Sequence, residues 1–287
     1  MLNKISFIGA GKVGTALAVL LSRKGYTVAS VYDQVASASD KLAEQVKSCR
    51  TFRSPQAAAD AAQIIFITTP DSVIPVVAAG IKWQRGQSVI HCSGADSTGI
   101  LEPARKAGAM VAAFHPLQTF AGVREAIENI PGSNFAIESE EPLLTILKKM
   151  TEDLGGNWIT LKAGDKAAYH AAAVFASNYL VTLVKMAADL WKTFSIPTDQ
   201  ATRALLPLIR GTLHNIETIG IPDCLTGPIA RGDAGTVSKH IKMLREKAPE
   251  LLNPYKELGL QTIPIANTKG SINKEQAREL ELLLKEK

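Results

Sequence analysis

The stretch ISFIGAGKVG, residues 5–14, decides the fold of this chain. Its first four residues are an apolar run that predicts a buried strand, and Gly9, Gly11 and Gly14 then form the pattern G-x-G-x-x-G. Apolar residues recur at helical spacing up to Leu21, and Gly25 stands where a helix would end. The order strand, glycine turn, helix is typical of the first βαβ unit of a nucleotide-binding α/β domain.

Asp33 completes the pattern of a dinucleotide site. It comes 19 residues after Gly14 and directly follows a second predicted strand, Tyr26 to Tyr32. The glycines permit a tight turn and let a pyrophosphate approach the positive N-terminus of the helix. The alternative is a glycine-rich turn that binds no ligand. The residues expected to bind the cofactor are Gly9, Ala10, Gly11, Lys12, Val13, Gly14, Asp33, Thr68, Thr69, Pro70 and Ser93.

The acidic residue also bears on which cofactor binds. A carboxylate can accept a hydrogen bond from the ribose 2′-hydroxyl of NAD but repels the 2′-phosphate of NADP. We therefore expect NAD in preference to NADP. NADP stays an alternative, because Gln34, Ser37 or Lys41 could accommodate the phosphate.

Composition indicates a globular protein of two domains. The chain has 287 residues, and a domain averages roughly 150. The net charge of +5 comes from scattered Lys and Arg without interleaved aromatic residues, which argues against a nucleic-acid partner. The three cysteines show neither pairing nor metal-ligand spacing, so we expect a reducing, cytoplasmic compartment and no metal site.

No membrane segment is expected. The first strand begins almost at Met1, which leaves no room for a signal peptide. Ala171 to Val184 carries no charge, but it is too short to span a bilayer and predicts a buried helix.

The rest of the chain predicts an α/β protein: an N-terminal doubly wound Rossmann sheet followed by an all-helical C-terminal domain. We place the dinucleotide-binding domain at residues 1–163 and the helical substrate and dimerisation domain at residues 164–287. Right-handed crossovers should connect the strands. Further strands are predicted at Ile64–Ile67, Ser88–Cys92, Met110–Phe114, Asn134–Ile137 and Trp158–Leu161, and helices at Pro142–Leu154, Lys166–Lys192 and Lys274–Lys287.

Three loops follow predicted strands and should meet at the ligand-binding edge of the sheet. The first loop, Thr68 to Asp71, follows the predicted strand Ile64–Ile67, although Asp71 could equally be a helix N-cap. Cys92 to Ala95 offers Ser93 and Gly94 to a substrate, and Phe114 to Phe120 offers His115, which can hold or protonate a substrate oxygen. The structural alternatives are a turn hydroxyl for Ser93 and a loop-ordering buried imidazole for His115.

Lys166, His170, Val174 and Asn178 fall on one stripe of the long predicted helix. Polar residues on an otherwise apolar helix are unusual, so we expect catalytic roles for Lys166, His170 and Asn178, with Asn178 also binding substrate. The alternative is polar groups bonded to neighbouring backbone.

A second polar segment, Leu225 to Asp233, lies between predicted helices. Thr226 and Arg231 are expected to bind substrate, with Arg231 as a bidentate clamp for a carboxylate. An Arg231–Asp233 pair that stiffens a helix junction is an equal alternative.

The chain resembles the Rossmann-like proteins whose C-terminal half is a domain of unknown function, relatives of the 6-phosphogluconate dehydrogenase superfamily. The resemblance covers nearly the whole chain and rests on motifs in the expected order: GAGKVG, TTPD, HCSGA, FHPLQTF, YHAAAVFASN and LTGPIARGD.

The resemblance implies an N-terminal Rossmann domain and a helical domain that builds a homodimer. Related enzymes are ketopantoate reductase, pyrroline-5-carboxylate reductase, 3-hydroxyisobutyrate dehydrogenase and prephenate dehydrogenase. In ketopantoate reductases, Lys and Asn residues of the first interdomain helix contact substrate; here His170 stands where an Asn would be expected. His115-Pro116 is similar to the His-Pro loop of prephenate dehydrogenases.

The implied function is an NAD(P)-dependent oxidoreductase that transfers a hydride to a small carboxylate substrate, a 2-oxo acid such as ketopantoate. Lys166 or His170 would protonate the developing alkoxide. Two alternatives stay open: reduction of a cyclic imine, as in pyrroline-5-carboxylate reductase, and a nucleotide-binding sensor or structural protein without turnover.

Overall fold

The computed structural model describes residues 4–286 and confirms the α/β class. A single sheet contains the strands in the order β3-β2-β1-β4-β5-β6-β7-β8. The strands are β1 (Ile5–Ile8), β2 (Val28–Tyr32), β3 (Arg50–Thr51), β4 (Ile64–Ile67), β5 (Ser88–His91), β6 (Met110–Leu117), β7 (Asn134–Ser139) and β8 (Asn157–Thr160).

Helices connect the strands and form the C-terminal part of the chain. The first seven are α1 (Lys12–Arg23), α2 (Ala36–Gln45), α3 (Pro55–Asp60), α4 (Ile74–Gly80), α5 (Glu102–Lys106), α6 (Val123–Asn129) and α7 (Leu143–Asp153). They are followed by α8 (Lys166–Ala173), α9 (Tyr179–Leu190), α10 (Thr198–Thr218), α11 (Ala234–Lys247), α12 (Leu252–Lys269) and α13 (Lys274–Lys285).

The predicted doubly wound sheet differs from the observed one at β7. This strand runs antiparallel to β6, with Leu117 opposite Asn134, whereas the other neighbouring strands are parallel. The connection that contains α6 returns the chain at the same end of the sheet where β6 stops, so the next strand must run backwards. Because β7 accompanies it, β6 continues past Phe114, where its prediction ended, to Leu117.

Aromatic side chains form a row through the core on one face of the sheet. Phe7 stacks on Phe66 with ring centroids 5.1 Å apart, and Phe114 stacks on Phe135 at 4.7 Å. All four rings are fully buried. Burying a phenylalanine contributes about 1.5–3 kcal/mol, so this row holds β1, β4, β6 and β7 together.

The chain divides into two compact units, residues 1–177 and 178–287. Residues 164–177, which the sequence analysis places in the second domain, thereby lie in the first unit. The second unit has a core of its own, to which α11 contributes Val237 and Ile241 and α13 contributes Leu280 and Leu284.

The long helix predicted from Lys166 is not one regular α-helix. A π-helical turn, Val174–Asn178, separates α8 from α9, and a 3-10 turn, Trp191–Phe194, follows α9. The expectation of a buried helix is wrong: in the part of the chain described here, only 6% of the most apolar window of Lys166–Phe194 is buried. By length and composition this stretch could cross a membrane, and a single stretch of this kind is weak evidence for a membrane span.

Candidate functional site

The glycine turn after β1 is closed by close backbone contacts. Gly9 has a φ of +108°, and a Cβ on it would lie 2.6 Å from the carbonyl carbon of Thr68. A Cβ on Gly14 would lie 2.3 Å from the carbonyl oxygen of Gly9. Thr68 secures the turn from β4, because its hydroxyl donates to the carbonyl oxygen of Gly9 at 2.6 Å. Side chains at positions 9 and 14 are therefore excluded by the fold.

Gly11 is different, because a Cβ on it would meet no heavy atom within 4 Å. It is the N-cap of α1, and no side chain caps this end of the helix. The first-turn amides of α1 are thus available to an anion. This absence of a side chain is what a pyrophosphate beside the turn requires.

A cavity of about 440 Å³ lies beside the turn. Its lining includes Gly9, Gly11 and Asp33, together with Thr68, Thr69 and Pro70 from the loop after β4. The cavity therefore joins a bare glycine at a helix N-terminus to an acidic side chain, a combination that fits a dinucleotide.

Asp33 holds the glycine turn as well as lining this cavity. One carboxylate oxygen accepts from the amide of Ala10 at 2.7 Å, and the other accepts from the amide of Val35 at 2.8 Å. Each oxygen keeps a second lone pair for a ligand hydroxyl. Lys12 and Val13 begin α1 at the same turn, whereas Ser93 is not among the lining residues.

Ser93 instead joins two loops. It is buried, and its hydroxyl lies 2.9 Å from a carboxylate oxygen of Asp71 and 2.8 Å from one of Asp96. The same hydroxyl accepts from the amide of Asp96 at 3.1 Å. The loops after β4 and β5 are thereby brought together, and the Ser93 hydroxyl is also the turn hydroxyl that the structural alternative described.

Lys166 is buried under the Ser93 loop, with only 2% of its surface exposed. Its ammonium group donates to the carbonyl oxygen of Ser93 at 2.6 Å. Burial lowers the pKa of Lys166, while the charge of Glu138 opposes that shift. A buried ammonium with one carbonyl partner acts on its surroundings through its charge.

The sequence analysis missed two buried groups beside Lys166. His91 is fully buried at the end of β5, and burial followed by the charge of Lys166 lowers its pKa to about 4. Glu138 is buried on β7, where it accepts from the amide and the hydroxyl of Thr98 at 3.1 and 2.7 Å. The signal that could have identified Glu138 is a charged residue that directly follows the apolar run Phe135–Ile137 within a predicted strand region.

Two imidazoles converge on Gly94. A Cβ on this glycine would lie 2.4 Å from Nδ1 of His170 and 2.9 Å from Nε2 of His115. The two rings stand edge to face with centroids 6.0 Å apart. Burial, followed by the charge of Lys166, lowers the pKa of His115 to about 3, so this ring is neutral. The predicted residues Gly94, His115, Lys166 and His170 thus lie in one cluster within the first unit.

Tyr169 is a further member of this cluster that the sequence analysis did not identify. Its hydroxyl lies 2.9 Å from Nδ1 of His115. The motif YHAAAVFASN contains it directly before His170, but a tyrosine on a helix is by itself no sign of function.

The remaining predicted site residues, Asn178, Thr226 and Arg231, belong to the second unit. Asn178 ends the π-helical turn, whose wider spacing breaks the i, i+4 stripe drawn from Lys166. Arg231 is exposed, and Asp233 caps α11 by accepting from the amide of Thr236 at 2.9 Å. The roles assigned to these three residues stay predictions.

Two further kinds of site are a reactive thiol and a metal centre. Burial raises the pKa of Cys92 to about 12, which keeps its thiol protonated and unreactive. No group of three or more His, Cys, Asp or Glu side chains within residues 4–286 could hold a metal ion.

The chain matches two family models. Residues 2–116 match a Rossmann-like domain, and residues 133–262 match a domain of unknown function, DUF2520. The two matches confirm the resemblance drawn from the motifs. No match was found among curated proteins.

Solved structures share the fold over nearly their whole length. A presumed NADP oxidoreductase from Bacteroides fragilis is 24% identical with a TM-score of 0.73, over 91% of this chain and 98% of the other. A reductive aminase from Aspergillus terreus, in complex with NADPH and ethyl levulinate, is 16% identical with a TM-score of 0.68, over 98% and 99%. A pyrroline-5-carboxylate reductase from Coxiella burnetii is 16% identical with a TM-score of 0.60, also over 98% and 99%. At such identities the likeness shows the fold alone.

Proposed function

We propose that this chain, which joins a Rossmann-like domain to a DUF2520 domain, is an NAD(P)-dependent oxidoreductase that reduces the carbonyl group of a small 2-oxo acid such as ketopantoate. The observation that carries the proposal is the glycine turn. Packing excludes side chains at Gly9 and Gly14, yet nothing in the fold requires glycine at position 11 except room for a ligand. The solved structures of similar fold that contain NADPH or NADP⁺ support a dinucleotide there.

Different residues of this chain would bind the cofactor, orient the substrate and supply the proton. The amides that begin α1 would hold the pyrophosphate, and Asp33 would accept from the ribose. When bound, the cofactor supplies the hydride. His115, beside Gly94, would orient the substrate oxygen, and Lys166 would stabilise the negative charge that develops on it. His170 or Lys166 would provide the proton.

We infer that NAD is preferred over NADP. Among the described residues that line the cofactor cavity, Asp33 is the one charged residue, and no Lys or Arg is present to pair with a 2′-phosphate. Measured dissociation constants should be lower for NADH than for NADPH. Asp33→Asn should bring the dissociation constants for NADH and NADPH closer together. Tighter binding of NADPH than of NADH to the unaltered protein would contradict the inference.

Reduction of a cyclic imine is the second candidate. The solved structures with this fold include a reductive aminase and a pyrroline-5-carboxylate reductase, both named for C=N reduction. The buried cation Lys166 disfavours this candidate, because a protonated imine would bring a second positive charge to the cluster.

The deciding experiment is a screen of 2-oxo acids and cyclic imines for oxidation of NADH and NADPH. We expect turnover with a 2-oxo acid. His170→Ala and Lys166→Ala should each lower kcat about 10²-fold while cofactor affinity stays nearly unchanged. An unchanged kcat per folded molecule with a lowered melting temperature would mean that these residues are structural. Tight cofactor binding without turnover on any substrate would instead favour a nucleotide sensor.

A further inference from the structure

Tyr169 has no place in the proposed chemistry so far, yet it makes a well-formed contact. Its hydroxyl lies 2.9 Å from Nδ1 of His115, and the two rings stand edge to face at 88° with centroids 5.6 Å apart. Both side chains are half-buried. One proton lies between these two atoms, and its position determines what the other nitrogen of His115 can do.

Tyr169 is the donor in its hydrogen bond with His115. Neutral His115 carries one N–H, either on Nδ1 or on Nε2. If the proton were on Nδ1, the Tyr169 hydroxyl would have no acceptor for its own O–H among the described residues, where it makes no other hydrogen bond. A phenol is also a better donor than acceptor, because its lone pairs are delocalised into the ring. Burial raises the pKa of Tyr169 to about 12, so the phenol keeps its proton.

The opposite nitrogen of His115 faces Gly94. Nε2 lies 2.9 Å from the position that a Cβ on Gly94 would occupy, and it makes no hydrogen bond to any residue of the described range. Nδ1 of His170 flanks the same position at 2.4 Å and is buried without a partner. An N–H on Nε2 is therefore a donor that the protein itself leaves unused.

We propose that Tyr169 is a positioning residue that holds His115 as a hydrogen-bond donor through Nε2, and that this donor selects a carbonyl oxygen over a protonated imine nitrogen. The hydrogen bond at one imidazole nitrogen sets the tautomer and hence the role of the other. A carbonyl oxygen accepts from Nε2–H, and the bond strengthens as that oxygen gains negative charge during reduction. A protonated imine carries an N–H of its own and has no lone pair to offer. The second half of this inference rests on the proposed function, and the first half does not.

The tautomer can be measured without any substrate. In protein labelled with 15N-histidine, the protonated and unprotonated ring nitrogens have well-separated chemical shifts, and the His115 signals are identified by their loss in His115→Asn. We expect His115 to be protonated on Nε2 in the unaltered protein and to become a mixture of tautomers in Tyr169→Phe.

The chain contains a matched control. His240 and Tyr255 in the second unit form the same contact, with Nδ1 to hydroxyl at 2.9 Å and centroids 5.8 Å apart. Tyr255→Phe should change the His240 signals and leave those of His115 unaltered. A proton on Nδ1 of His115, or an unchanged Nε2–H in Tyr169→Phe, would overturn the assignment.

Ligand selection is tested by binding to the protein saturated with NAD⁺. Ketopantoate should shift the Nε2–H signal of His115, and its affinity should fall about fivefold in Tyr169→Phe, the loss of roughly one neutral hydrogen bond. Protonated 1-pyrroline should leave this signal unchanged in both proteins. An equal shift with 1-pyrroline, or none with ketopantoate, would overturn the selection. If ketopantoate shifts the signal but no NADH oxidation follows, the proposed function fails and the selection stands.

Discussion

At the scale of single residues, the three glycines of the first turn are required for different reasons: packing against the backbone for Gly9 and Gly14, and room for a ligand for Gly11. Gly11→Leu should fold normally and lose cofactor binding, because a Cβ at this position would meet no heavy atom within 4 Å and the rest of the side chain would extend where the pyrophosphate would lie. Gly14→Ala should lower the free energy of unfolding by about 1–3 kcal/mol, because its Cβ collides with backbone. Calorimetric titration with NADH and denaturant unfolding measure the two effects. Unchanged NADH affinity in Gly11→Leu would remove the main support for the proposed function.

His91 should make the stability of the first unit depend on pH. Its pKa in the folded protein is about 4, against an ordinary 6.5, because burial disfavours the imidazolium. Between these values the unfolded chain binds more protons, so the free energy of unfolding falls as the pH drops from 6.5 towards 4. The His91 part of this loss should approach about 3 kcal/mol at the lower end, and His115, whose pKa is about 3, should add a loss in the same direction.

Denaturant unfolding at a series of pH values checks this dependence. His91→Asn, whose amide oxygen can replace Nδ1 as the acceptor of the Ser93 amide, should make the curve less steep, and the slope that remains belongs to His115. His214→Gln, on the exposed side of α10, should leave it unaltered. An equally steep curve in His91→Asn would assign the dependence to other groups.

At the scale of elements, the first turn of α8 sets the charge of the cluster between β5 and β6. Lys166 donates to the Ser93 carbonyl, and its charge is the second cause of the low pKa values of both His91 and His115. Lys166→Met keeps the apolar stem and removes the charge, so the pKa of His115 should rise from about 3. Titration of the imidazole signals by NMR measures this shift.

Lys162→Met is the matched control, because Lys162 is exposed in the loop that precedes α8. It should leave both imidazole pKa values unaltered. If Lys166→Met also changes neither value, the charge of Lys166 does not govern the cluster, and burial alone keeps the rings neutral.

At the scale of the whole molecule, apolar side chains of the second unit predict a homodimer. Val181 on α9 and Leu208 on α10 are 70% and 67% exposed, and the two helices pack against each other. We propose that a second copy covers these two side chains: the resemblance drawn from the motifs implies a helical domain that builds a homodimer, and each exposed apolar side chain of this size gains about 1.5–3 kcal/mol on burial.

Val181→Glu combined with Leu208→Glu should convert the dimer to a monomer in sedimentation experiments. Leu282→Glu on α13, where the side chain is 64% exposed in the same unit, is the control and should not alter the molecular mass. A monomer before any substitution, or a dimer that survives both changes, would contradict the proposal.

The sequence by itself determined the α/β class, the glycine turn and most of the strands. These features depend on short-range patterns: apolar runs, glycine spacing and residues that end helices. It also placed Ser93 and His115 among the candidate residues, because loops after parallel strands converge on one edge of the sheet. Lys166 and His170 became candidates because they are polar residues on one stripe of an otherwise apolar helix.

Tertiary structure alone decided the partners of those residues. That Lys166 is buried against the Ser93 carbonyl, and that Tyr169 contacts His115, depends on packing between segments 54 or more residues apart in the chain. The antiparallel direction of β7 depends on where a loop returns the chain, and the π-helical turn at Asn178 breaks a spacing that looks regular in the sequence. Periodicity reports which face of an element is apolar, whereas the neighbour that meets each side chain is set by long-range packing.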